Sequence, residues 1–142
     1  MPIEILIIES NSADATLTRI AFRAAGFTGG FYTVADGEEA LAYVHQQNQY
    51  KDVSIPDLIL LALSLPKVSG LEVLRAIKTT PHLKHIPIIV VSGSQDPEQI
   101  KAVYALANCF IRKTSDLDQF LELIESCHRF WGSVATLSPA QH

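Results

Sequence analysis

The feature that most constrains the fold is a set of five short apolar runs, each followed by apolar residues at helical spacing. Three of the five runs are unbroken rather than alternating, and the strongest is Leu58 to Leu63. An unbroken run is typical of a strand covered on both faces, as in a parallel sheet with helices on each side. We therefore predict strands at Ile3 to Ile8, Phe31 to Val34, Leu58 to Leu63, Ile88 to Val91 and Cys109 to Ile111.

The segments between these runs carry the helices. Apolar residues recur three and four positions apart, which is the period of one helix face. Five strand–helix repeats with right-handed crossovers predict an α/β fold: a doubly wound, five-stranded parallel sheet of the flavodoxin-like (βα)5 type, strand order 2-1-3-4-5. The helical stripes are Leu17, Ile20, Ala21 and Ala24; Ala40, Leu41 and Val44; Leu71, Leu74 and Ile77; Ile100, Val103, Tyr104 and Ala107; and Leu117, Phe120, Leu121 and Ile124.

Composition limits the function classes. The 142 residues are 48% hydrophobic and carry a net charge of −4, which suits one domain with a real core and argues against nucleic acid or anionic lipid as a partner. We expect a domain over residues 1–131 and a tail over 132–142. No apolar stretch approaches the roughly 20 residues that cross a membrane, and Met1 to Glu4 lacks a basic signal region. We expect a cytoplasmic protein.

The residues that follow the strands are the candidates for function. In such folds ligands bind outside the carboxyl ends of the strands. Glu9 and Ser10 follow the first strand, and Ala62 lies at the end of the third. Ser92 follows the fourth strand and Lys113 the fifth. The set therefore comprises a carboxylate, two hydroxyls, a methyl group and an ammonium.

Three segments have a recognisable pattern: Pro56 to Leu71, with its Pro66 and Gly70; Ile86 to Ser92; and Phe110 to Lys113. Through these segments, and over about residues 3 to 130, the sequence resembles the CheY-like receiver domains of bacterial response regulators. The first segment follows the family's pattern around the phosphorylated aspartate, but this chain has Ala62 where the family has that aspartate.

The resemblance implies roles for the neighbouring residues. In the family, Mg²⁺ is held by an acid after strand one, by the phosphorylated aspartate and by a carbonyl two residues beyond it. Those positions match Ser10, Ala62 and Ser64 here. A methyl group cannot form an acyl phosphate. The resemblance makes Ser92 the hydroxyl and Lys113 the lysine that contact the phosphoryl group, and Lys113 can instead pair with Glu9. We predict a degenerate phosphorylation pocket formed by Glu9, Ser10, Ala62, Ser64, Ser92 and Lys113, with no metal, no cofactor and no enzymatic activity.

Other candidates have simpler interpretations. Thr114 follows Lys113 where the family has a cis proline, and we expect a trans bond because a cis bond to a non-proline costs about 3–4 kcal/mol. His82 and His85 lack a third metal ligand. Cys109 is expected to be a buried thiol, and Arg19 and Arg23 to form a solvated edge of the first helix.

The last helix and the tail point to a partner surface. The apolar arc of this helix is wider than packing on one sheet face requires. Phe130-Trp131 and the following residues resemble the tail of single-domain regulators that partner phytochromes, whose helix four, strand five and helix five support homodimers. The alternative is that the tail folds back over this arc. The interaction residues we predict are Tyr104, Phe110, Leu123, Phe130 and Trp131.

The leading hypothesis is a stand-alone degenerate receiver in a two-component or phosphorelay pathway. It would act as a phosphorylation-independent binding module for a histidine kinase, another signalling protein or a second copy of itself. Two alternatives remain open at this point. The first is phosphorylation on a non-standard residue, and the second is an engineered Asp-to-Ala variant of an active receiver. The loss at Ser10 as well as at Ala62 favours natural divergence.

Overall fold

The computed structural model describes residues 3–112, 118, 119, 121, 122, 124–126 and 129. Strands and helices alternate along this part of the chain, as the periodicity predicts. A short 3-10 helix, Asn48–Tyr50, follows α2. The elements are β1 (Glu4–Ile8), α1 (Ser12–Ala24), β2 (Gly30–Val34), α2 (Gly37–Val44), β3 (Leu58–Ala62), α3 (Gly70–Lys78), β4 (Ile88–Ser92), α4 (Pro97–Leu106) and β5 (Cys109–Arg112).

The five strands form one parallel sheet in the order β2-β1-β3-β4-β5, which confirms the predicted fold class and topology. The register aligns the carboxyl ends of the central strands. Ile8 lies beside Leu61, and Ala62 lies beside Val91. The residues that follow β1, β3 and β4 therefore meet at one edge of the sheet.

The core consists of two apolar layers, one on each face of the sheet. Side chains of β1, β3 and β4 enter both layers alternately, and Leu6, Ile59 and Ile89 are completely buried. This two-sided burial explains the unbroken apolar runs. The layer beneath α2, α3 and α4 includes Leu61, Val73, Leu74, Ile77 and Val103, and the layer beneath α1 includes Ile7, Ala21, Phe22, Leu60 and Ile111.

Helix starts follow the capping residues in the sequence. Asn11, Asp36 and Ser69 each accept a hydrogen bond from the main-chain N–H three residues on. Asp96 caps α4 with Pro97 at its first position, as predicted from that pair. Gly26 ends the first helical segment with a φ of 103°, a conformation that glycine adopts without a side-chain clash.

Some predicted details are wrong. The apolar run Leu58 to Leu63 is one residue longer than β3, which ends at Ala62 as expected, while the Leu63 carbonyl accepts a hydrogen bond from Gly70 N. The spacing predicted Ile20 on the buried stripe of α1, but Ile20 is 56% exposed. Phe22 is the large side chain of α1 that is buried in the core. Cys109, expected to be buried, is only half-buried because β5 is an edge strand.

A lysine and an asparagine join three elements at the amino end of the sheet. The Lys78 ammonium, at the end of α3, donates to the carbonyl oxygens of Lys84 and Ile86 and to Asn108 Oδ1, at 3.3, 2.9 and 3.0 Å. Asn108 Oδ1 also accepts from Ile88 N, and Asn108 N donates to the Ile88 carbonyl. Burial lowers the pKa of Lys78. We call this pair the Lys78–Asn108 latch.

We predict that Lys78→Met and Asn108→Ala each lower the free energy of unfolding by about 0.5–1.5 kcal/mol, because each removes a hydrogen bond to a partly buried main-chain group, the Ile86 carbonyl for Lys78 and the Ile88 N–H for Asn108. Urea titration followed by circular dichroism measures the change. Lys101→Met, at an exposed position of α4, is the matched control. Equal losses in Lys78→Met and Lys101→Met would show that the latch contributes nothing specific.

Three tyrosines pack together between β2 and α2. The ring centroids of Tyr32 and Tyr43 are 4.9 Å apart, and those of Tyr43 and Tyr50 are 5.2 Å apart. The Tyr50 hydroxyl donates to Glu39 Oε1 at 2.9 Å. Burial, together with this carboxylate, raises the pKa of Tyr50 well above 10.0. Burial and the nearby Glu4 carboxylate also raise the pKa of Tyr43.

These shifts predict alkaline instability. A phenol whose pKa is higher in the folded state stabilises the fold fully below pH 10, and this stability is lost as the pH rises above that value. The free energy of unfolding falls by up to about 1.4 kcal/mol per pH unit for one such group. We expect Tyr50→Phe to reduce this fall. Urea midpoints across the alkaline range test this. Tyr104→Phe, at a position 65% exposed, should retain the wild-type slope.

Candidate functional site

Glu9, Ala62 and Ser92 meet at the carboxyl edge of the sheet. Ala62 is the last residue of β3 and Ser92 the last of β4, while Glu9 directly follows β1. The register places Ile8 beside Leu61 and Ala62 beside Val91, so these three residues lie on adjacent strands. The prediction that the residues after the strands share one edge is therefore correct for this part of the set.

Glu9 is fixed by the turn that leads into α1. Its N–H donates to the Val34 carbonyl at 3.0 Å, and its Oε2 accepts from Asn11 N at 3.1 Å. Asn11 in turn caps α1 through Asp14 N. Ser10 lies in this turn and is exposed. The first carboxylate of the predicted pocket is thus held by the main chain and does not depend on a ligand for its position.

Ala62 presents a half-buried methyl group where β3 ends. Gly70 brings the start of α3 against this strand end, because a Cβ at residue 70 would collide with the Ala62 carbonyl oxygen. Gly70 N donates to the Leu63 carbonyl at 3.0 Å and closes the loop. Ser64 lies in this loop and is exposed. The Ser64 backbone therefore lies in a loop that is closed by the contact between Gly70 and Ala62, and this contact leaves no room for a Cβ at residue 70.

Ser92 is the buried polar residue of this edge, with 7% of its surface exposed. Its Oγ accepts a hydrogen bond from Ser94 N at 3.0 Å. Ser94 Oγ repeats the pattern by accepting from Asp96 N at 3.2 Å, and Asp96 caps α4. The Ser92 hydroxyl thus shapes the loop from β4 to α4.

A cavity of about 50 Å³ opens beside Ala62. Most of its lining is apolar, including Ile7, Leu60 and Val91, but Glu9 and Asp14 supply two carboxylates. Asp14 was not among the predicted site residues. The signal was available, because an Asn11 cap puts residue 14 in the first turn of α1, next to the end of β1.

The donor set does not fit the magnesium site that the resemblance implies. Mg²⁺ prefers hard oxygen ligands in octahedral geometry. Ala62 has no side-chain oxygen, and Ser10 offers a hydroxyl in place of a carboxylate. Among the described residues, no three His, Cys, Asp or Glu side chains are grouped closely enough to hold a metal, and this includes His82 and His85.

Several predicted site residues lie outside the described part of the chain: Lys113, with the bond to Thr114, and Leu123, Phe130 and Trp131. Cys127 lies outside it as well. Their predicted roles stay predictions. Within the described part, Tyr104 and Phe110 form a ring pair with centroids 5.6 Å apart and an interplanar angle of 34°. Tyr104 is 65% exposed, so this pair presents an aromatic surface on α4 and β5.

The comparisons with known proteins define the class. The sequence model of the response regulator receiver domain matches residues 5–125. That range covers most of the chain, and the parallel sheet has the order that the resemblance implies. The chain belongs to the response regulator receiver family of two-component signalling. Within the described residues, no helix combines the length and apolar character needed to span a membrane.

The similar proteins include regulators of phytochrome systems. The response regulator Rcp1 of Synechocystis sp. is 34% identical over 140 residues, which cover 98% of this chain and 95% of that protein. The crystal structure of the phosphorylated cyanobacterial phytochrome response regulator RcpA has a TM-score of 0.89 at 40% identity, covering 95% of this chain and 97% of that one. The crystal structure of the Mn(2+)-bound form of response regulator Rcp1 has a TM-score of 0.86 at 34% identity. The similarity covers 92% of this chain and 94% of that one.

We predict that Ala62→Asp creates a metal-dependent stability that the wild type lacks. A carboxylate at residue 62 would join Glu9 and Asp14 at one cavity, and like charges destabilise one another. Without metal, Ala62→Asp should be about 1 kcal/mol less stable than the isosteric Ala62→Asn. Millimolar Mg²⁺ should close that gap.

Thermal unfolding of the wild type and both variants, with EDTA or with Mg²⁺, measures this difference. The wild type should show the same melting temperature in both buffers. Stabilisation of the wild type by Mg²⁺ to the extent seen in Ala62→Asp would mean that its own donors already hold the ion.

Proposed function

We propose that this receiver is a binding module whose conformation is set by its protein partner and not by phosphorylation. It takes part in two-component signalling in the cytoplasm, has no catalytic activity of its own, and docks on a histidine kinase. The observation that carries the proposal is the methyl group of Ala62 at the end of β3. A phosphoryl group transferred to a receiver needs a carboxylate nucleophile there, and Ala62 supplies none.

The surroundings of Ala62 support this proposal. The neighbouring Ser10 is a hydroxyl residue, so the metal-binding charge that offsets a transferred phosphoryl group is reduced as well. Ser92 keeps its place through a hydrogen bond to the loop before α4. These residues are held by the fold whether or not phosphate chemistry occurs. Loss of the reaction therefore leaves the receiver's shape, and hence its docking surfaces, in place.

The relatives suggest the kind of kinase. RcpA is described as a cyanobacterial phytochrome response regulator, and similarity to it extends over 95% of this chain. A bacteriophytochrome response regulator, RtBRR, is also similar, with 31% identity and a TM-score of 0.75 over 86% of this chain. We therefore propose a phytochrome-type histidine kinase as the partner. Nucleic acid and membrane surfaces are not proposed as partners, given the net charge of −4.

The first experiment is intact mass spectrometry after incubation with Mg²⁺ and acetyl phosphate. We expect no added phosphoryl group on the wild type. The control is the double variant Ser10→Asp/Ala62→Asp, which restores two carboxylates at the edge and should gain one acid-labile phosphoryl group. A stoichiometric adduct on the wild type, on Ser64 or any other residue, would overturn the proposal.

We further propose that the Tyr104–Phe110 surface forms a homodimer contact. The exposed aromatic pair on α4 and β5 supports this, because aromatic side chains supply large contact area at interfaces.

Tyr104→Arg should weaken self-association at least about tenfold while leaving the melting temperature unchanged. Light scattering across a concentration series measures it. Ile20→Arg, at another exposed apolar position, is the control. Equal self-association of Tyr104→Arg and the wild type would rule out this contact.

A further inference from the structure

β2 is an edge strand, and within the part of the chain that the structure describes some of its main-chain hydrogen-bonding groups have no partner. Gly30 N donates to the Ile3 carbonyl at 2.9 Å, and the Val34 carbonyl accepts from Glu9 N at 3.0 Å. Along a parallel strand, alternate residues bond to the same neighbour, so residues 30, 32 and 34 face β1. The N–H and C=O groups of Phe31 and Thr33 therefore point away from the sheet, and no described residue bonds to them.

The sequence of this edge does nothing to block strand addition. Natural edge strands are commonly protected by lysine, proline or a bulge. β2 consists of Gly30, Phe31, Tyr32, Thr33 and Val34, pairs in register with β1 along its whole length, and contains no charge and no proline. Tyr32 is 44% exposed. The edge is thus regular, uncharged and partly aromatic, which are the properties of a strand that can accept a partner.

Two guanidinium groups lie along one face of this edge. Arg19 Nη1 donates to Thr33 Oγ1 at 2.7 Å, and its Nη2 donates to Thr16 Oγ1 at 3.0 Å. The Arg23 guanidinium carbon lies 4.9 Å from the Phe31 ring centroid, and its Nη1 donates to the Phe27 carbonyl. Arg23 is exposed and Arg19 half-buried, so the predicted solvated edge of α1 carries two arginines that also contact β2.

Among the described residues, no acidic side chain forms an ion pair with either arginine. In the part of the chain that the structure describes, neither Arg19 nor Arg23 has a carboxylate oxygen within 4.0 Å. Their neutral partners fix the side chains in place without offsetting the charge. A guanidinium that is already ordered loses less entropy when it pairs with a carboxylate. The pair is therefore preorganised for an acidic group.

The opposite face of the edge is aromatic. Tyr32 points towards α2, where its ring lies 4.9 Å from Tyr43 and 5.9 Å from Tyr50, centroid to centroid. Side chains of an extended strand alternate between the two faces with a period of two residues. In a strand added to β2, every second side chain would therefore lie on the face that carries Arg19 and Arg23. The side chains in between would lie on the face that carries Tyr32.

We propose that the β2 edge is a docking site for an extended segment of another protein, in which acidic side chains alternate with apolar ones. Main-chain hydrogen bonds to Phe31 and Thr33 supply the pairing, and charge-assisted bonds from Arg19 and Arg23 select the acidic residues. This site is separate from the edge that carries Ala62 and from the Tyr104–Phe110 surface, so it allows a second partner to bind at the same time.

The test uses fluorescence anisotropy with labelled synthetic peptides. The probe alternates glutamate and valine, and two control peptides have the same length: one alternates lysine and valine, and the other has all its glutamates in one block. We expect the alternating glutamate peptide to bind with a dissociation constant of about 10–100 μM and to weaken as salt is raised. The two controls should bind at least about tenfold more weakly.

Two variants separate the contributions. Thr33→Pro removes an outward N–H but leaves the hydrogen bonds to β1, and proline is tolerated at such edge positions. It also removes the hydroxyl that holds Arg19, so Thr33→Val, which loses that hydroxyl and keeps the N–H, is its control. Thr33→Pro should abolish peptide binding. Arg19→Gln/Arg23→Gln should weaken binding at least about tenfold and reduce its salt dependence. Arg75→Gln, at an exposed position of α3, should bind like the wild type.

Three outcomes would overturn the proposal: equal binding of the glutamate and lysine peptides, unchanged binding in the double arginine variant, or no binding to the wild type. If the double variant self-associates while the wild type binds no peptide, the arginines protect the edge from a second copy of the chain. If Thr33→Pro fails to fold, the arginine variant and the peptide pair still decide the question.

Discussion

Burial of the three central strands on both faces is the constraint on which the rest of this structure depends. Ile8, Leu61 and Ile89 are almost completely enclosed, and each such side chain contributes about 1.5–3 kcal/mol when removed from water. The burial fixes the register of β1, β3 and β4, and the register fixes which residues share the carboxyl edge. Glu9, Ala62 and Ser92 are brought together by apolar packing, not by their own chemistry. A receiver can therefore lose its acceptor carboxylate and keep the geometry around it.

The polar residues at the carboxyl edge of the sheet also stabilise the starts of two helices. Ser92 shapes the loop that leads to the cap of α4. Glu9 accepts a hydrogen bond from the residue that caps α1. Each is thus tied to a helix start, and the retention of these residues does not by itself require phosphate chemistry. The identity of residue 62 is the more informative observation, because its side chain has no comparable structural partner.

The parts of the fold that depend on periodicity could be predicted from the sequence. Unbroken apolar runs identified the parallel strands, and capping pairs such as Asp96-Pro97 identified helix starts. Details that depend on three-dimensional neighbours could not. Ile20 fits a helical stripe, but Phe22 fills that space better. Arg23 is exposed as predicted, but its contact with the Phe31 ring, eight residues along the chain, has no signal in the sequence. Asp14 is a different case, because the Asn11 cap already places it in the first turn of α1, next to the end of β1, and that signal was not used.

The Lys78–Asn108 latch has a consequence for the order in which the chain assembles. Its hydrogen bonds need the end of α3, the entry to β4 and the entry to β5 to be in place at once. They form only after these segments, up to 30 residues apart along the chain, have come together. Interactions that form late in folding act mainly on the rate of unfolding. Because the latch joins these three segments, β5 cannot separate from β4 without also breaking the hydrogen bond to the end of α3, and we expect the latch to slow local opening on this side of the sheet.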